Sequence, residues 1–372
     1  MYADKERKRI VVKIGSSSLT SFQGEISLKK LENLVNQIVK LKDEGHEVIL
    51  VSSGAVAAGY RKLGFIDRPK TLPEKQASAS IGQGLLMESY STLFLSHGYI
   101  ASQLLITRSD FSDETRYQNV RNTMNVLLDR GIIPIINEND TVTINRLKFG
   151  DNDTLSAKVA GLIDADFLAI LSDIDGLYED NPHTNPNAKR ILEVTDITED
   201  IEAAAGDAGS SVGTGGMKSK LDAFKISMAA GINGFLGKAD TPDILDKAIN
   251  GTEDGTYFTA DENVAPLNYK KQWIAFHSGP KGEIVVQEKT QEFLMHREGS
   301  LDSDGIVNVK GSFKKGDVVR ILDQDGREIG LGIVNYASDE LARKSDLLQD
   351  EIVHVVDLEA FVCHLDLSIP VC

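Results

Sequence analysis

RIVVKI at residues 9–14 runs straight into GSS at 15–17, and EVILV at 47–51 runs straight into SSGA at 52–55. Each apolar run is short and bounded by small residues. Each reads as a buried strand that hands the chain to a loop of serine and glycine. Between them Ser27 opens a helical pattern with Leu28, Leu31, Leu34, Val35, Ile38 and Leu41 on one face. Gly45 fits the residue that ends such a helix in a left-handed turn. Strand, helix and strand in this order predict a parallel sheet.

Outward from this unit the alternation continues. A Gly/Ala-rich helix start follows residue 54, then a longer helix from about Pro73 to Ser96. Apolar runs follow at Ile100–Ile106, Ile132–Ile136, Phe167–Leu171 and Gly234–Leu236, with helical patterns at 114–129, 153–163 and 217–230. The predicted class is α/β, a mostly parallel sheet sandwiched by helices. Pro134 lacks a ladder donor, so it belongs at a strand's start or beside an irregular pairing.

After about residue 258 the texture changes. Residues 259–278 read as a linker with a short helix carrying Trp273, the sole tryptophan. GEIVV, GIVNV, GDVVRIL, REIGLGIV and EIVHVV then follow as short strands, with Asp325-Gly326 as a hairpin turn. The expected division is 1–258, a linker at 259–278, a small all-β domain at 279–357 and a tail at 358–372.

At 372 residues the chain is too long for one core. Its formal charge of −16 argues against nucleic acid as the main partner. No apolar run approaches the roughly 18 residues that span a bilayer. The segment Met1–Arg9 is charged and has no secretory signature. The only cysteines are Cys363 and Cys372, which excludes a disulfide framework and favours a reducing, cytoplasmic setting. The seven histidines are scattered without metal-ligand spacing, so no protein-held metal is expected.

Four loops carry candidate chemistry, and in open α/β sheets ligands gather at the carboxyl ends of strands. Lys13, ending a buried strand before Gly15, can place an ammonium beside phosphate oxygens. Read alone, its simpler account is a strand lysine reaching solvent. Ser52-Ser53-Gly54-Ala55 leaves backbone N–H groups open for a carboxylate or phosphate, or is an ordinary turn. Asn137-Glu138-Asn139-Asp140 and Gly150-Asp151-Asn152-Asp153 can grip ammonium and carboxylate groups, although Asp153 also suits a helix cap.

Gly213-Thr214-Gly215-Gly216-Met217-Lys218-Ser219-Lys220 opens a helix with exposed amides and two lysines, a phosphate cradle or a glycine hinge. It is not a Walker A loop, because Met217 stands where that pattern needs glycine. Ser172-Asp173-Ile174-Asp175-Gly176 could contact a nucleotide or simply turn. Gly82-Gln83-Gly84 follows no strand, which argues against a dinucleotide fingerprint.

Taken in order, VVKIGSS (11–17), VSSGAVAAG (51–59), QASASIGQG (76–84), LLITRSDF (104–111), NVRNTM (119–124), PIINENDTV (134–142), FGDND (149–153), LSDIDGLY (171–178) and GTGGMKSK (213–220) resemble the amino acid kinase family. The C-terminal part is similar to a PUA domain. The resemblance implies ATP-dependent phosphorylation of the side-chain carboxylate of L-glutamate to γ-glutamyl phosphate, the step that opens proline synthesis.

It assigns Lys13 and Lys220 to the phosphoryl group in transfer, and Asp153 to orienting those two lysines. It further assigns Ser53, Asp140 and Asn152 to the amino acid. Lys13, Ser172, Asp173, Thr214, Gly215, Gly216, Met217, Lys218, Ser219 and Lys220 are assigned to ATP. Ser172 and Ser219 stand where threonine is more familiar, and both keep the hydroxyl.

It also implies Mg²⁺ carried by ATP, L-proline as feedback inhibitor, and a homo-oligomer, either dimer or tetramer. RNA is not an expected partner despite the PUA resemblance, since acidic residues outnumber basic ones by 18 to 10 over residues 280–372. Another family acceptor, such as acetylglutamate, aspartate or a nucleoside monophosphate, is the nearest rival.

Overall fold

The structure is a computed structural model that describes residues 7–21, 25–143, 152–182, 184–205, 216–252, 255–261, 266–342 and 352–363. It divides into two compact units, residues 1–110 with 115–262, and residues 111–114 with 263–372.

In the first unit the strands are β1 (Arg9–Ile14), β2 (Glu47–Ser52), β3 (Ala101–Ile106), β4 (Ile133–Glu138), β5 (Phe167–Ser172), β6 (Leu177–Tyr178), β7 (Arg190–Ile191), β8 (Glu193–Val194), β9 (Asn233–Lys238) and β10 (Thr256–Phe258). Eight of these form one sheet in the order β3-β4-β2-β1-β5-β9-β10-β8. The pairings from β3 through β9 are parallel, and β10 runs antiparallel to β9. Chain order reverses at β1, which has β2 on one side and β5 on the other. That is the switch point where strand ends leave a crevice.

The alternation of β1 explains how one strand serves both core and site. Ile10, Val12 and Ile14 join the apolar cluster that also takes in Leu31, Leu34, Val35 and Ile38 of the helix Leu28–Asp43. Val11 and Lys13 therefore point to the opposite face. On that face packs the helix Asn152–Leu162, whose Leu155, Ala157, Val159, Ala160 and Leu162 are all buried. Ser27 caps the first helix by accepting from Lys30 N–H, and Gly45 follows it with φ +92°. Pro134 is the second residue of β4, where the pairing with β2 covers Ile135 and Ile136 but not Pro134. Its missing donor is therefore never called on from that side.

In the second unit β11 (Gly282–Val286), β12 (Leu301–Asp302), β13 (Ile306–Gly311), β14 (Val318–Leu322), β15 (Glu328–Ile333), β16 (His354–Val356) and β17 (Phe361–Cys363) make a five-stranded sheet, β13-β11-β14-β15-β17, and a two-stranded β12-β16 pair. Gly326 turns β14 into β15 with φ +82°. Three features depart from the sequence expectation. A helix at Glu288–Met295 inserts Leu294 into this core. The segment expected as a linker is divided: the helix Tyr269–Phe276 belongs to the second unit, where Trp273 Nε1 donates to Phe111 O at 2.9 Å. The segment expected as a tail contains β17, paired to β15, so Phe361–Cys363 is part of the sheet.

Candidate active site

The loops that follow β1, β2, β4 and β5 all open at the same edge of the parallel sheet. They are laced together by main-chain bonds. Gly15 N–H donates to Leu171 O at 3.3 Å, and Ser53 N–H donates to Ile14 O at 3.2 Å. The chain ends of three adjacent strands are thus held in register before any side chain is placed.

Into this edge the helix Asn152–Leu162 brings Asp153, which is fully buried. One of its oxygens is ion-paired with Lys13 Nζ, and the other lies 3.3 Å from Lys220 Nζ. Lys220 stands on the first turn of the helix Met217–Ala229, and its Nζ also reaches Gly216 O at 3.4 Å. Ser219 Oγ donates to Asp153 Oδ2 at 3.1 Å and is within 2.8 Å of Gly216 O.

Burial alone would raise the Asp153 carboxyl. The charges of Lys13 and Lys220 outweigh that and hold it below the usual carboxylate range. An unpaired carboxylate buried this deeply would cost several kcal/mol, so the lysines compensate for the helix's placing it there. Among the described residues, this cluster sets two ammonium groups against one carboxylate at the strand ends. In a protein of net charge −16 this is a local cation site.

Next to Asp153, Asn152 Nδ2 has three acceptors within reach of its two hydrogens: Ser53 Oγ at 2.8 Å, Asn137 Oδ1 at 2.9 Å and Ser52 O at 3.0 Å. Ser53 and Asn152 are both half-buried, at the rim rather than inside the core. Asp140 lies in the turn after β4, half-buried, with its N–H donating to Glu138 O at 2.9 Å. Ser172 is buried at the end of β5, and its hydroxyl donates to the exposed Asp173 at 3.0 Å. Met217 and Lys218 open their helix, Met217 half-buried and Lys218 exposed. Thr214, Gly215 and Asp151 lie outside the described residues.

The structure therefore brings Lys13, Asp153, Ser219 and Lys220 into one bonded cluster, and Ser53 and Asn152 into an adjoining one. Among the described residues no group of three or more His, Cys, Asp or Glu side chains could hold a metal ion. No described helix is long and apolar enough to cross a membrane.

Residues 8–237 match the family model described as the amino acid kinase family. The chain belongs to the amino acid kinase family. Residues 282–356 match the PUA domain model. Within the kinase family the similar proteins include glutamate 5-kinase 2 of Bacillus licheniformis, 71% identical over 98% of this chain and 99% of its own length. Glutamate 5-kinase 2 of Bacillus subtilis is 68% identical, with complete coverage of both chains. Glutamate 5-kinase 1 of Bacillus subtilis is 46% identical over 93% of this chain and 94% of its own. Among solved structures, a carbamate kinase from Giardia lamblia bound to AMP-PNP superposes with TM-score 0.50 at 18% identity, covering 69% of this chain and 99% of that one. That last likeness speaks to the amino acid kinase fold alone.

Sequence reasoning missed Asn137 as an individual contributor, because it read residues 137–140 as a polar loop. Asn137 and Glu138 are the last two residues of β4, both buried. A polar pair ending an otherwise apolar strand was the available signal.

Proposed function

We propose that the chain transfers the γ-phosphoryl group of ATP to the side-chain carboxylate of L-glutamate, forming γ-glutamyl phosphate and so opening proline synthesis. The observation that carries this reading is the Lys13–Asp153–Lys220 cluster with Asn152 and Ser53 beside it. Its relatives at 68 and 71% identity are glutamate 5-kinases.

A glutamate side chain has a reference pKa of about 4.3 and is already an ionised nucleophile at neutral pH. No general base is needed. The obstacle is the approach of an anion to a triphosphate, and the remedy is fixed positive charge and alignment. Lys13 and Lys220 supply two ammonium groups held at defined positions by one carboxylate. The charges of both lysines hold the Asp153 carboxyl below its usual range, so it is read as a fixed carboxylate. It works by fixing Nζ positions.

Ser53, Asp140 and Asn152 are proposed to hold the amino acid. Ser172, Asp173 and the stretch from Thr214 to Lys220 are proposed to hold the nucleotide. Mg²⁺ arriving with ATP would add further neutralisation of the phosphates. The acyl phosphate is prone to hydrolysis, which favours a site that limits water.

L-Proline is the proposed feedback inhibitor, as the end product that shares the α-amino acid group those residues are placed to grip. A homo-oligomer, dimer or tetramer, and a cytoplasmic setting complete the reading. The test is ADP release with a panel of acceptors: L-glutamate, acetylglutamate, L-aspartate and UMP. Turnover that needs L-glutamate supports the proposal, and turnover with another acceptor in its place overturns it.

A further inference from the structure

The helix Leu72–Ser96 contains QASASIGQG, a motif that the phosphoryl-transfer cluster does not use. It is docked unusually closely on the segment that follows Ser53. A Cβ at Gly82 would fall 1.8 Å from Ala55 O, and one at Gly59 would fall 1.9 Å from Ser78 O. Only glycine fits at either position, so the short helix Ala55–Gly59 and the long helix meet backbone to backbone. This fixes the long helix relative to the β2 loop.

From that fixed helix three polar side chains point the same way. Gln76, Gln83 and Tyr90 are spaced seven residues apart, and seven residues bring an α-helix back to within about 20° of the same face. Gln76 Nε2 donates to Thr143 O at 3.1 Å, in the segment that follows the turn carrying Asp140. Gln83 Oε1 accepts from Asn137 Nδ2 at 2.9 Å. Asn137 Oδ1 in turn accepts from Asn152 Nδ2 at 2.9 Å. Tyr90 Oη lies 2.9 Å from Ser52 Oγ, one residue before Ser53. Each contact thus ends on, or next to, one of the three segments assigned to the amino acid: Asp140, Asn152 and Ser53.

We propose that Gln76, Gln83 and Tyr90 are positioning residues that set the amino acid pocket, with Gln83 acting through Asn137 on Asn152. An Asn side chain has two acceptor lone pairs and two donor hydrogens, and its amide can flip. At Asn137 two contacts act together: Glu138 N–H donates to Oδ1 at 2.9 Å, and Gln83 Oε1 accepts from Nδ2, so that Oδ1 is held toward Asn152. Asn152 then presents its amide group to Ser53. Without Gln83 the Asn137 amide keeps only its Glu138 contact and loses the anchor on Nδ2, so the Asn137–Asn152–Ser53 relay is held less firmly. The proposal rests on the glutamate reading of the pocket.

The test is initial-rate kinetics of the full chain, varying L-glutamate at saturating ATP and then ATP at saturating L-glutamate. Gln83→Met should raise the KM for L-glutamate about tenfold, the equivalent of one amide hydrogen bond at about 1.4 kcal/mol per decade. The kcat and the KM for ATP should stay within about twofold of wild type. Gln83→Glu keeps an acceptor for Asn137 and should recover most of the loss. Combined with Asn152→Ala, Gln83→Met should add no further rise, since residues acting in series are not additive.

Tyr90→Phe keeps the ring in place and repeats the test at Ser52, independently of how well Gln83→Met folds. An unchanged KM for L-glutamate in both Gln83→Met and Tyr90→Phe, or effects additive with Asn152→Ala, would overturn the proposal. Wild-type turnover without any need for L-glutamate would instead overturn the reading on which it rests.

Discussion

Lys220 Nζ lies 3.3 Å from one oxygen of Asp153, while Lys13 holds the other. The carboxylate comes from a helix packed on β1, one ammonium from β1 itself and the other from the helix Met217–Ala229. Three elements far apart in sequence thus converge on one buried charge cluster at the sheet's switch point.

Lys13→Ala and Lys220→Ala are expected to lower kcat by a factor on the order of 100 or more, as removing one transition-state donor does elsewhere. The KM for L-glutamate should change far less, since neither lysine is assigned to the amino acid. Steady-state kinetics of the purified, folded variants checks this.

Asp153→Ala should be the most destabilising single change in the cluster. It leaves two buried ammonium groups without their carboxylate, and breaking a buried pair from one side costs roughly 3–5 kcal/mol. Lys220→Met removes one cation and leaves Asp153 paired with Lys13, so its loss should be smaller. Urea denaturation of the two variants side by side gives the comparison.

Asp140→Ala is expected to raise the KM for L-glutamate while leaving the KM for ATP in place. A titration of initial rate against L-glutamate reads this directly.

A pH effect on stability, separate from catalysis, is expected at the far end of β2. Glu47 is opposed by burial, which raises its carboxyl. Arg9 at 2.7 Å and Arg7 outweigh this and hold it below its ordinary value. A carboxylate with a depressed folded pKa contributes stability above its unfolded pKa and loses it as the pH falls through the folded value. Glu47→Gln should therefore be less stable than wild type at neutral pH, by about 1 kcal/mol after solvent screening. The gap should close on acidification below about pH 4, and kcat should be unaffected. Thermal melts across pH check both the sign and the window.

How much of this could be read in the sequence depends on whether a feature is local. β1, β2 and β5 were legible because each is buried on both faces and so reads as a continuous apolar run. The helix Leu28–Asp43 was legible from its apolar stripe and its serine cap. Lys13 was visible as an odd polar residue closing a buried strand, but its partner, 140 positions away, was not. Only the resemblance to a family joined it to Asp153 and Lys220.

The Gln76–Gln83–Tyr90 stripe was hidden because its members are ordinary residues in a helix with apolar residues on several sides. Its meaning lies in what each one touches. The helix Glu288–Met295 was hidden among strand-like neighbours, because a two-turn helix with one fully buried residue leaves little periodicity to detect. That Phe111–Glu114 belongs with the second unit rests on contacts such as Phe111 O with Trp273, which no local pattern encodes.

The most direct measurement is hydroxylamine trapping of the acyl phosphate, with ATP and L-glutamate saturating. The wild-type chain should form the glutamyl hydroxamate only when both substrates are present. Lys220→Ala should form it at no more than about a hundredth of that rate while still binding L-glutamate by calorimetry. Hydroxamate formed equally fast by Lys220→Ala, or none formed by the wild-type chain, would contradict the account.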